Sequence, residues 1–282
     1  MKILVLGAAG MAGHIISIYL SEKGHDVTGY TTRPISFCKF IVGNAEDTWA
    51  LKKILLECNY DAVINCIGLL NQFAECNPSS AIFINSYLPH FIVEVLKDTP
   101  TRFVQMSTDC VFAGNTGPYY EDSLQDGRTF YDRTKALGEV NDEKNLTFRN
   151  SIIGPDIKEN GIGLFNWFMK QSGTVNGFIS AIWTGVTTLT LAKAMEKALE
   201  VNLTGVYNLV NNESINKYEL LKLFNKYFRN DKLTILPSDK LKLDKTLKCT
   251  RSDFDFVVPS YEQMIIEMKV WVNTHKELYP NY

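Results

Sequence analysis

Tyr131 and Lys135 stand four residues apart, a spacing that could support proton transfer. On a helix, residues four apart lie on one face, so the phenol and the ammonium would be neighbours. A free tyrosine has a pKa near 10, and a cation within about 4–6 Å lowers that pKa toward neutrality. The pair is therefore predicted to act in acid–base catalysis. The alternative is a solvated Tyr/Lys pair on a helix surface.

A glycine-rich segment follows the first predicted strand, which is the apolar run 3–6. Its spacing is Gly-x-x-Gly-x-x-Gly, and a helix of about 14–23 comes next. The three glycines permit a tight turn, a close approach of the backbone to a pyrophosphate and close helix–strand packing. The helix N-terminus would face the anion, so a dinucleotide site is favoured over a turn without a ligand. Its residues are Gly7, Gly10, Met11, Ala12 and Gly13.

Thr108 follows the fifth predicted strand, 102–106. In an open α/β sheet, reactive groups gather at the carboxyl ends of the strands. Thr108 would hydrogen-bond a substrate carbonyl, and Tyr131 would transfer the proton. Lys135 would lower the pKa of the tyrosine and bind the nicotinamide ribose. The alternative is that Thr108 only caps a strand end, but the order of the three motifs favours a catalytic group.

The end of the second predicted strand, 25–30, indicates which dinucleotide binds. A site that prefers NAD usually has Asp or Glu there for the ribose 2′-hydroxyl. Here the strand is followed by Thr31, Thr32 and Arg33. Hydroxyls and a guanidinium can receive a 2′-phosphate, and no carboxylate repels it. The prediction is NADPH, with NADH as the less favoured cofactor, and the alternative for Arg33 is a solvated loop cation.

Residues after the later strands complete the predicted cofactor site. Asn44 follows the third strand and could reach an adenine edge, and the fourth strand, 61–68, ends in small residues where a ribose would pass. Asn85 is polar within an apolar helical stretch, so it either bonds backbone groups in the core or holds a strand end beside the site. The cofactor residues predicted from these segments are Asn44, Cys66, Ile67, Gly68 and Asn85.

The motifs lie in an alternating series of predicted strands and helices. Continuous β-branched and leucine runs are typical of strands buried on both faces of a parallel sheet. The predicted fold class is α/β, a Rossmann-type doubly wound parallel sheet with a smaller interleaved C-terminal α/β substrate lobe. Residues 1–154 would form the dinucleotide-binding domain, completed by about 178–210, and residues 155–177 and 211–282 the lobe. The charged stretch 232–244 is predicted as a loop.

Together the segments 7–13, 107–114 and 131–139 match a known pattern, with 149–154 as the following strand. The chain resembles the extended short-chain dehydrogenases/reductases. Within them it is most similar to dTDP-4-dehydrorhamnose reductases and relatives that reduce nucleotide-linked 4-keto-6-deoxy sugars. The resemblance places the sugar beside the fifth strand and the irregular region 155–177. It implies substrate contacts by Ser107, Asp109, Cys110, Asn150, Trp167 and Trp183.

Several observations qualify the predicted substrate contacts. Trp167 could stack on a nucleobase, and the alternative is a place in the core. Cys110 stands where the reductases usually have an aromatic residue and where sugar dehydratases have a Glu that removes the C5 proton. Because cysteine is a weak base at its usual pKa, a 4,6-dehydratase is disfavoured. Segment 125–130 lacks the family's usual proline, so the sugar need not be the rhamnose precursor.

The resemblance implies NADPH-dependent reduction of a nucleotide-linked 4-keto-6-deoxy sugar, for the synthesis of surface polysaccharide precursors. One alternative is a nucleotide-sugar epimerase, which would recycle the hydride. Another is a non-catalytic NADP-binding regulatory subunit, like the reductase-like partner of a methionine adenosyltransferase. Intact Thr108, Tyr131 and Lys135 argue against the regulatory subunit. The sugar, its nucleotide (dTDP or UDP) and the product stereochemistry stay open.

Composition narrows the partners and the compartment. The chain has 282 residues and a net charge of −2, without a Lys/Arg-rich run, which disfavours nucleic acid as a partner. The apolar runs are strand-sized, so no membrane contact is expected. Six scattered cysteines lack a Cys-x-x-Cys pair, and no signal-peptide cleavage pattern is seen, so we expect a cytoplasmic protein with reduced thiols. Dispersed histidines give no support to a metal site, and a homodimer is left open.

Overall fold

Alternating apolar residues give the first strand, β1 (Lys2–Leu6), two buried faces. Ile3 and Val5 belong to one core cluster, whereas Leu4 and Leu6 belong to the other. Successive side chains of a strand point to opposite faces, so both faces of the sheet are covered, as is usual for parallel strands. The structure is a computed structural model, and it describes residues 1–280 and 282.

As far as β6, helices separate successive strands except between β2 and β3. In chain order, the further strands are β2 (Asp26–Thr31), β3 (Lys39–Val42), β4 (Ala62–Asn65), β5 (Arg102–Met106), β6 (Leu146–Arg149), β7 (Ile152–Ile153), β8 (Thr174–Phe178), β9 (Ala181–Trp183), β10 (Val186–Thr187), β11 (Gly205–Asn208), β12 (Ile215–Asn216), β13 (Thr234–Ser238) and β14 (Leu243–Asp244). The α-helices are α1 (Met11–Glu22), α2 (Thr48–Glu57), α3 (Asn71–Cys76), α4 (Pro78–Ala81), α5 (Leu88–Leu96), α6 (Phe130–Leu137), α7 (Leu164–Met169), α8 (Thr188–Glu200), α9 (Lys217–Arg229) and α10 (Tyr261–Thr274). A π-helix spans Ile82–Tyr87, and 3₁₀ turns span Asp109–Val111 and Lys276–Leu278.

The large sheet has seven parallel strands in the order β11-β6-β5-β4-β1-β2-β3. The chain runs outward from β1 to β3 and then returns to β4 on the other side of β1. The switch point therefore lies between β1 and β4, where Leu6 is opposite Asn65. Ligands of open α/β sheets bind at the carboxyl ends of the strands beside such a point. The predicted Rossmann-type fold is confirmed.

Helices cover both faces of this sheet. On one face α1 packs against α8, and residues such as Ile16 and Met195 are fully buried. On the other face α2 packs against α5, through residues such as Leu51 and Ile92. Among the described residues, no helix combines the length and the apolar character needed to cross a lipid bilayer.

Three small sheets lie outside the large one. They are β7 with β10, β8 with β13, and the three-stranded sheet β12-β9-β14. β9 pairs with β12 and β14, so it lies outside the large sheet. α8 follows β10 and leads to β11 in the large sheet. The division of the chain into a dinucleotide domain and a lobe stays a prediction.

The predicted loop 232–244 is wrong, because it contains β13 and β14. β13 is mostly exposed and pairs with β8 along its length. Because an exposed strand has no buried face, its sequence lacks the apolar alternation of a half-buried strand. The helix predicted near 81–96 is also not uniform, since a π-helical turn joins α4 to α5. A π-helical turn inserts an extra residue and often lies near a functional site.

Candidate active site

The glycine segment carries the chain directly from β1 into α1. Gly7 has φ +78°, which favours glycine, and its N–H donates to the carbonyl of Tyr30 at 2.9 Å. A Cβ on Gly13 would lie 2.2 Å from the Gly7 carbonyl oxygen, so the close helix–strand contact requires glycine. Gly10 is the N-cap residue of α1 and supplies no side-chain acceptor. The first N–H groups of α1 are thus left for an anion.

His14 holds the glycine turn through a hydrogen bond to Gly10. One ring nitrogen, Nδ1, lies 2.9 Å from the Gly10 carbonyl, and Nε2 lies 2.7 Å from the hydroxyl of Tyr279. The indole N–H of Trp271 also donates to that hydroxyl, at 3.1 Å. Burial lowers the pKa of His14 to about 4, so the ring is neutral and can donate from Nδ1 while it accepts at Nε2. The glycine turn is therefore tied to the C-terminal region.

A cleft of about 580 Å³ opens at the carboxyl ends of β1 to β4. Its volume is typical of a cofactor site. Eight of the predicted cofactor residues line it, namely Gly7, Gly10, Thr31, Arg33, Asn44, Cys66, Ile67 and Gly68. Six others do not form its wall, namely Met11, Ala12, Gly13, Asn85, Tyr131 and Lys135. Thr32, whose hydroxyl was predicted beside Thr31 and Arg33, also lines the cleft, whereas the wall residues that were not predicted are Ala9, Tyr30, Gly43, Ala45, Glu46, Leu69, Asn77, Ser80, Ile84 and Lys158.

Thr108, Tyr131 and Lys135 come together beyond the end of β5. Thr108 caps the 3₁₀ turn that follows, because its Oγ1 accepts from the backbone N–H of Cys110 at 3.1 Å. The Tyr131 hydroxyl lies beside the Thr108 side chain, which acts to lower the pKa of the phenol. The Lys135 ammonium donates to the carbonyl of Met106, the last residue of β5, at 2.6 Å. Thr108 therefore caps a turn and also touches the tyrosine, so the two predicted roles are compatible.

The pKa of Tyr131 shifts in the direction opposite to our prediction. Its side chain is buried, and loss of hydration raises the pKa above its ordinary value, with Cys110 adding to the shift. The neighbouring Thr108 side chain acts in the lowering direction but is the smaller effect. Lys135 points its ammonium at the end of β5, which limits its influence on the phenol. Tyr131 is thus a protonated group at neutral pH and can serve as a proton donor.

Lys135 is buried, and its surroundings shift its pKa in opposite directions. Burial lowers its pKa to about 8, while Glu139 and Cys66 raise it. The side chain is therefore mostly an ammonium at neutral pH and loses its charge above pH 8. Its ammonium lies at the end of β5, where it donates to the Met106 carbonyl.

Cys110 is a thiol and not a base in this structure. Burial and the neighbouring Asp109 carboxylate raise its pKa to about 12. Burial likewise raises the pKa of Asp109. A cysteine that stays protonated cannot take the C5 proton of a sugar, which agrees with the disfavoured dehydratase. Within residues 1–280 and 282, no group of three or more His, Cys, Asp or Glu is arranged to hold a metal.

Asn85 fulfils both of the alternatives that the sequence left open. Its Oδ1 accepts from the N–H of Leu69 at 2.8 Å, and its Nδ2 donates to the Leu69 carbonyl at 2.9 Å. The same Nδ2 donates to the hydroxyl of Thr134 on α6 at 3.1 Å. A Cβ on Gly138 would lie 1.8 Å from the Asn85 carbonyl oxygen. Asn85 therefore joins the loop after β4 to the helix that carries Tyr131.

A buried ion pair lies beside Ser107, one of the predicted sugar contacts. It was not predicted from the sequence. Arg149 donates to both carboxylate oxygens of Glu139, at 2.9 and 2.6 Å, and the two side chains are only 2% and 6% exposed. Glu139 also accepts from the hydroxyl of Ser107 and the amide of Gln125. Ser107 is thus held by Glu139. The available signal was that Glu139 continues the four-residue spacing of Tyr131 and Lys135.

The other predicted sugar contacts differ in exposure. Asn150 is 3% exposed, and neither its Nδ2 nor its Oδ1 has a partner among the described residues, which is unusual for a buried amide. Trp167 is 44% exposed on α7, so the alternative of a core position is wrong. Trp183 is 6% exposed and packs against Tyr261, with ring centroids 5.7 Å apart. The substrate contacts themselves stay predictions.

Comparisons with known proteins agree with this geometry. The probable low-salt glycan biosynthesis reductase Agl14 of Haloferax volcanii is 32% identical over 143 residues, which is 49% of this chain and 48% of that protein. Methionine adenosyltransferase 2 subunit beta of Xenopus laevis is 25% identical over 236 residues, which is 78% of this chain and 70% of that protein. The match to the first of these curated relatives spans about half of its length.

A solved structure and a family model complete the comparison. The structure of dTDP-4-dehydrorhamnose reductase from Bacillus anthracis in complex with NADP superimposes with a TM-score of 0.79 at 17% identity, over 96% of this chain and 99% of that one. It has the same fold. Residues 1–253 match the family model described as the RmlD substrate binding domain. The resemblance seen in the motifs is thereby confirmed, and the chain belongs to the RmlD substrate-binding-domain family.

Proposed function

We propose that this protein is an NADPH-dependent reductase of a nucleotide-linked 4-keto-6-deoxy sugar. The observation that carries the proposal is the meeting of Thr108, Tyr131 and Lys135 beyond the end of β5, beside a cleft built on the glycine turn. The family match and the names of its relatives support a reductase. The name of the Haloferax volcanii relative supports a role in making polysaccharide precursors.

The residues of the cleft fit a phosphorylated dinucleotide. The N-terminus of α1 would hold the pyrophosphate, and Gly10 leaves room for it. Arg33 lines the cleft beyond β2, together with the Thr31 and Thr32 hydroxyls, and would take the 2′-phosphate. Glu46 is the carboxylate of the cleft wall and lies after β3, hydrogen-bonded to Asn44. The bound dinucleotide would supply a hydride.

The chain's own residues would handle the proton. Burial keeps Tyr131 protonated, so its hydroxyl can give a proton to the oxygen of a reduced carbonyl. Thr108, which lies beside Tyr131, would hold that oxygen by a hydrogen bond. The Lys135 ammonium, held at the end of β5, would hydrogen-bond the nicotinamide ribose. Asn150, with its unpartnered amide, would contact the substrate.

The test is NADPH oxidation by the purified protein with a panel of dTDP- and UDP-linked 4-keto-6-deoxy sugars. Oxidation with one sugar is expected, and Tyr131→Phe should lower the rate by about 10²–10⁴-fold because the proton donor is lost. Dinucleotide affinity should be kept in this variant. If the protein binds NADPH tightly but no sugar of the panel causes NADPH oxidation, the proposed reductase activity is contradicted.

A regulatory subunit is the second candidate. Methionine adenosyltransferase 2 subunit beta matches 78% of this chain, a longer stretch than the Haloferax volcanii reductase matches. Such a protein would bind dinucleotide and turn over no sugar. An epimerase would instead convert a nucleotide sugar without net NADPH consumption, so product analysis by chromatography separates the three outcomes. A cytoplasmic location and a homodimer stay predictions.

A further inference from the structure

One cation reaches the cofactor cleft from outside the large sheet. Lys158 lines the cleft, although it lies between β7 and α7 in the stretch predicted as part of the substrate lobe. Its ammonium has no hydrogen-bond or ion-pair partner among the described residues. We propose that Lys158 binds the pyrophosphate of the dinucleotide, an inference that rests on the proposed function.

The loop that carries Lys158, residues 154–163, is held in place at several points. The backbone N–H of Lys158 donates to Oδ1 of Asp156 at 3.0 Å, and its carbonyl accepts from Gly161 N–H at 3.0 Å. Asn166 closes the loop, because its Nδ2 donates to the carbonyls of Gly154 and Ile162 at 3.1 and 2.6 Å. The backbone of Lys158 is therefore fixed, while its exposed side chain can adjust.

Two contacts place this loop at the N-terminus of α1. The Nδ2 of Asn166 lies 3.7 Å from Sδ of Met11, and a Cβ on Gly163 would also lie 3.7 Å from that sulfur. Met11 is the first residue of α1 and follows the cap Gly10. The N-terminus of a helix after a glycine turn is where a pyrophosphate binds. The loop thus brings Lys158 to the pyrophosphate end of the cleft.

The two cationic side chains of the cleft wall, Arg33 and Lys158, would bind different phosphates of the dinucleotide. Arg33 follows β2, whose end meets the adenosine ribose in this fold, so it faces the 2′-phosphate. Lys158 belongs to the loop that contacts Met11 at the start of α1. A lysine ammonium is a compact charge with three hydrogen-bond donors on a flexible side chain. It can therefore adjust to the pyrophosphate oxygens as the dinucleotide binds. Lys158 should then serve NADPH and NADH equally, and Arg33 should serve NADPH alone.

The experiment measures the dissociation constants of NADPH and NADH by fluorescence titration for Lys158→Met, Arg33→Met and Lys170→Met. Lys170 is an exposed lysine at the end of α7 that does not line the cleft, so it is the matched control. Lys158→Met is expected to weaken both dinucleotides by the same factor, on the order of tenfold, because a charge-assisted hydrogen bond is lost. The factor should shrink at high salt.

Arg33→Met should weaken NADPH only, and Lys170→Met should weaken neither. Unchanged dissociation constants in Lys158→Met would overturn the inference, and a loss confined to NADPH would move Lys158 to the 2′-phosphate and overturn it as well. Circular dichroism confirms that each variant is folded. If the wild-type protein binds NADPH but reduces no sugar, the proposed function fails while the effect of Lys158→Met still decides the inference.

Discussion

The two sides of the candidate site are built from different kinds of structure. The cofactor side is formed by main chain and small residues at neighbouring strand ends, with Gly7 and Gly13 setting the turn. The predicted sugar side has buried polar side chains such as Glu139, Arg149 and Asn150. A glycine turn is specified by adjacent residues, whereas a buried polar network needs partners from distant segments. The cofactor is therefore easier to infer than the sugar.

Arg149→Met should give the largest loss of stability. It leaves Glu139 as a buried carboxylate without its partner, which costs about 3–5 kcal/mol of the free energy of unfolding. Urea denaturation measures this loss. If the two sides are independent, the folded variant should bind NADPH as the wild type does and lose sugar turnover.

Lys193→Met is the control for that experiment. Lys193 pairs with Glu267 at 2.8 Å, but the side chains are 34% and 24% exposed, so the pair contributes about 0–1 kcal/mol. Equal losses of stability in the two variants, or a loss of NADPH affinity in Arg149→Met, would contradict the separation of the two sides.

Gly13→Ala should damage the cofactor side. The new Cβ would overlap the Gly7 carbonyl, and such overpacking costs about 1–3 kcal/mol of folding free energy. NADPH affinity should fall with it, because α1 is pushed away from the turn. Gly68→Ala is the control, since its Cβ would find its nearest neighbour at 3.7 Å, and the free energy of unfolding should not change. Equal destabilisation in both variants would show that space at Gly13 is not the cause.

The rate of sugar reduction should fall as the pH rises above 8. The Lys135 ammonium has a pKa of about 8, so its charge is present below that pH and about tenfold depleted at pH 9. A pH–rate profile measures this limb. Cys66→Ser is the control, because burial raises the pKa of Cys66 to about 12 and its thiol stays neutral in this range. If the fall in rate above pH 8 disappears in Cys66→Ser, the titrating group is the Cys66 thiol.

Trp167→Ala should have the smallest effect. The ring is partly exposed on α7, and stacking on a nucleobase would contribute about 0.5–1.5 kcal/mol. We expect KM for the nucleotide sugar to rise roughly threefold with kcat and NADPH affinity unchanged. A KM equal to that of the wild type would remove Trp167 from the predicted substrate site.

The parts of the fold that were predicted from sequence depend on local patterns. The strands of the large sheet up to β5, the glycine turn and the meeting of Thr108 with Tyr131 follow from apolar runs, glycine spacing and the rule for strand ends. β13 was missed because it is mostly exposed and depends on its pairing with β8. Pairings of this kind carry no local signature.

The unpredicted features of the site all come from tertiary packing. The direction of the Tyr131 pKa follows from burial, which four-residue spacing does not report. The pairing of Glu139 with Arg149 joins segments that only the folded sheet brings together. Lys158 enters the cleft through a loop that is fastened by Asn166, and no motif marks it. Charge and distance in the folded chain decide these three features.

The bond between His14 and Tyr279 sets an order of events during synthesis. It connects residues 265 positions apart, so the N-terminal turn emerges long before its support exists. At about 5–20 residues per second, the ribosome needs tens of seconds to reach the later residue. Until then the Gly10 carbonyl lacks the anchored imidazole that holds it in the finished molecule. The glycine turn is therefore translated long before it becomes fully supported.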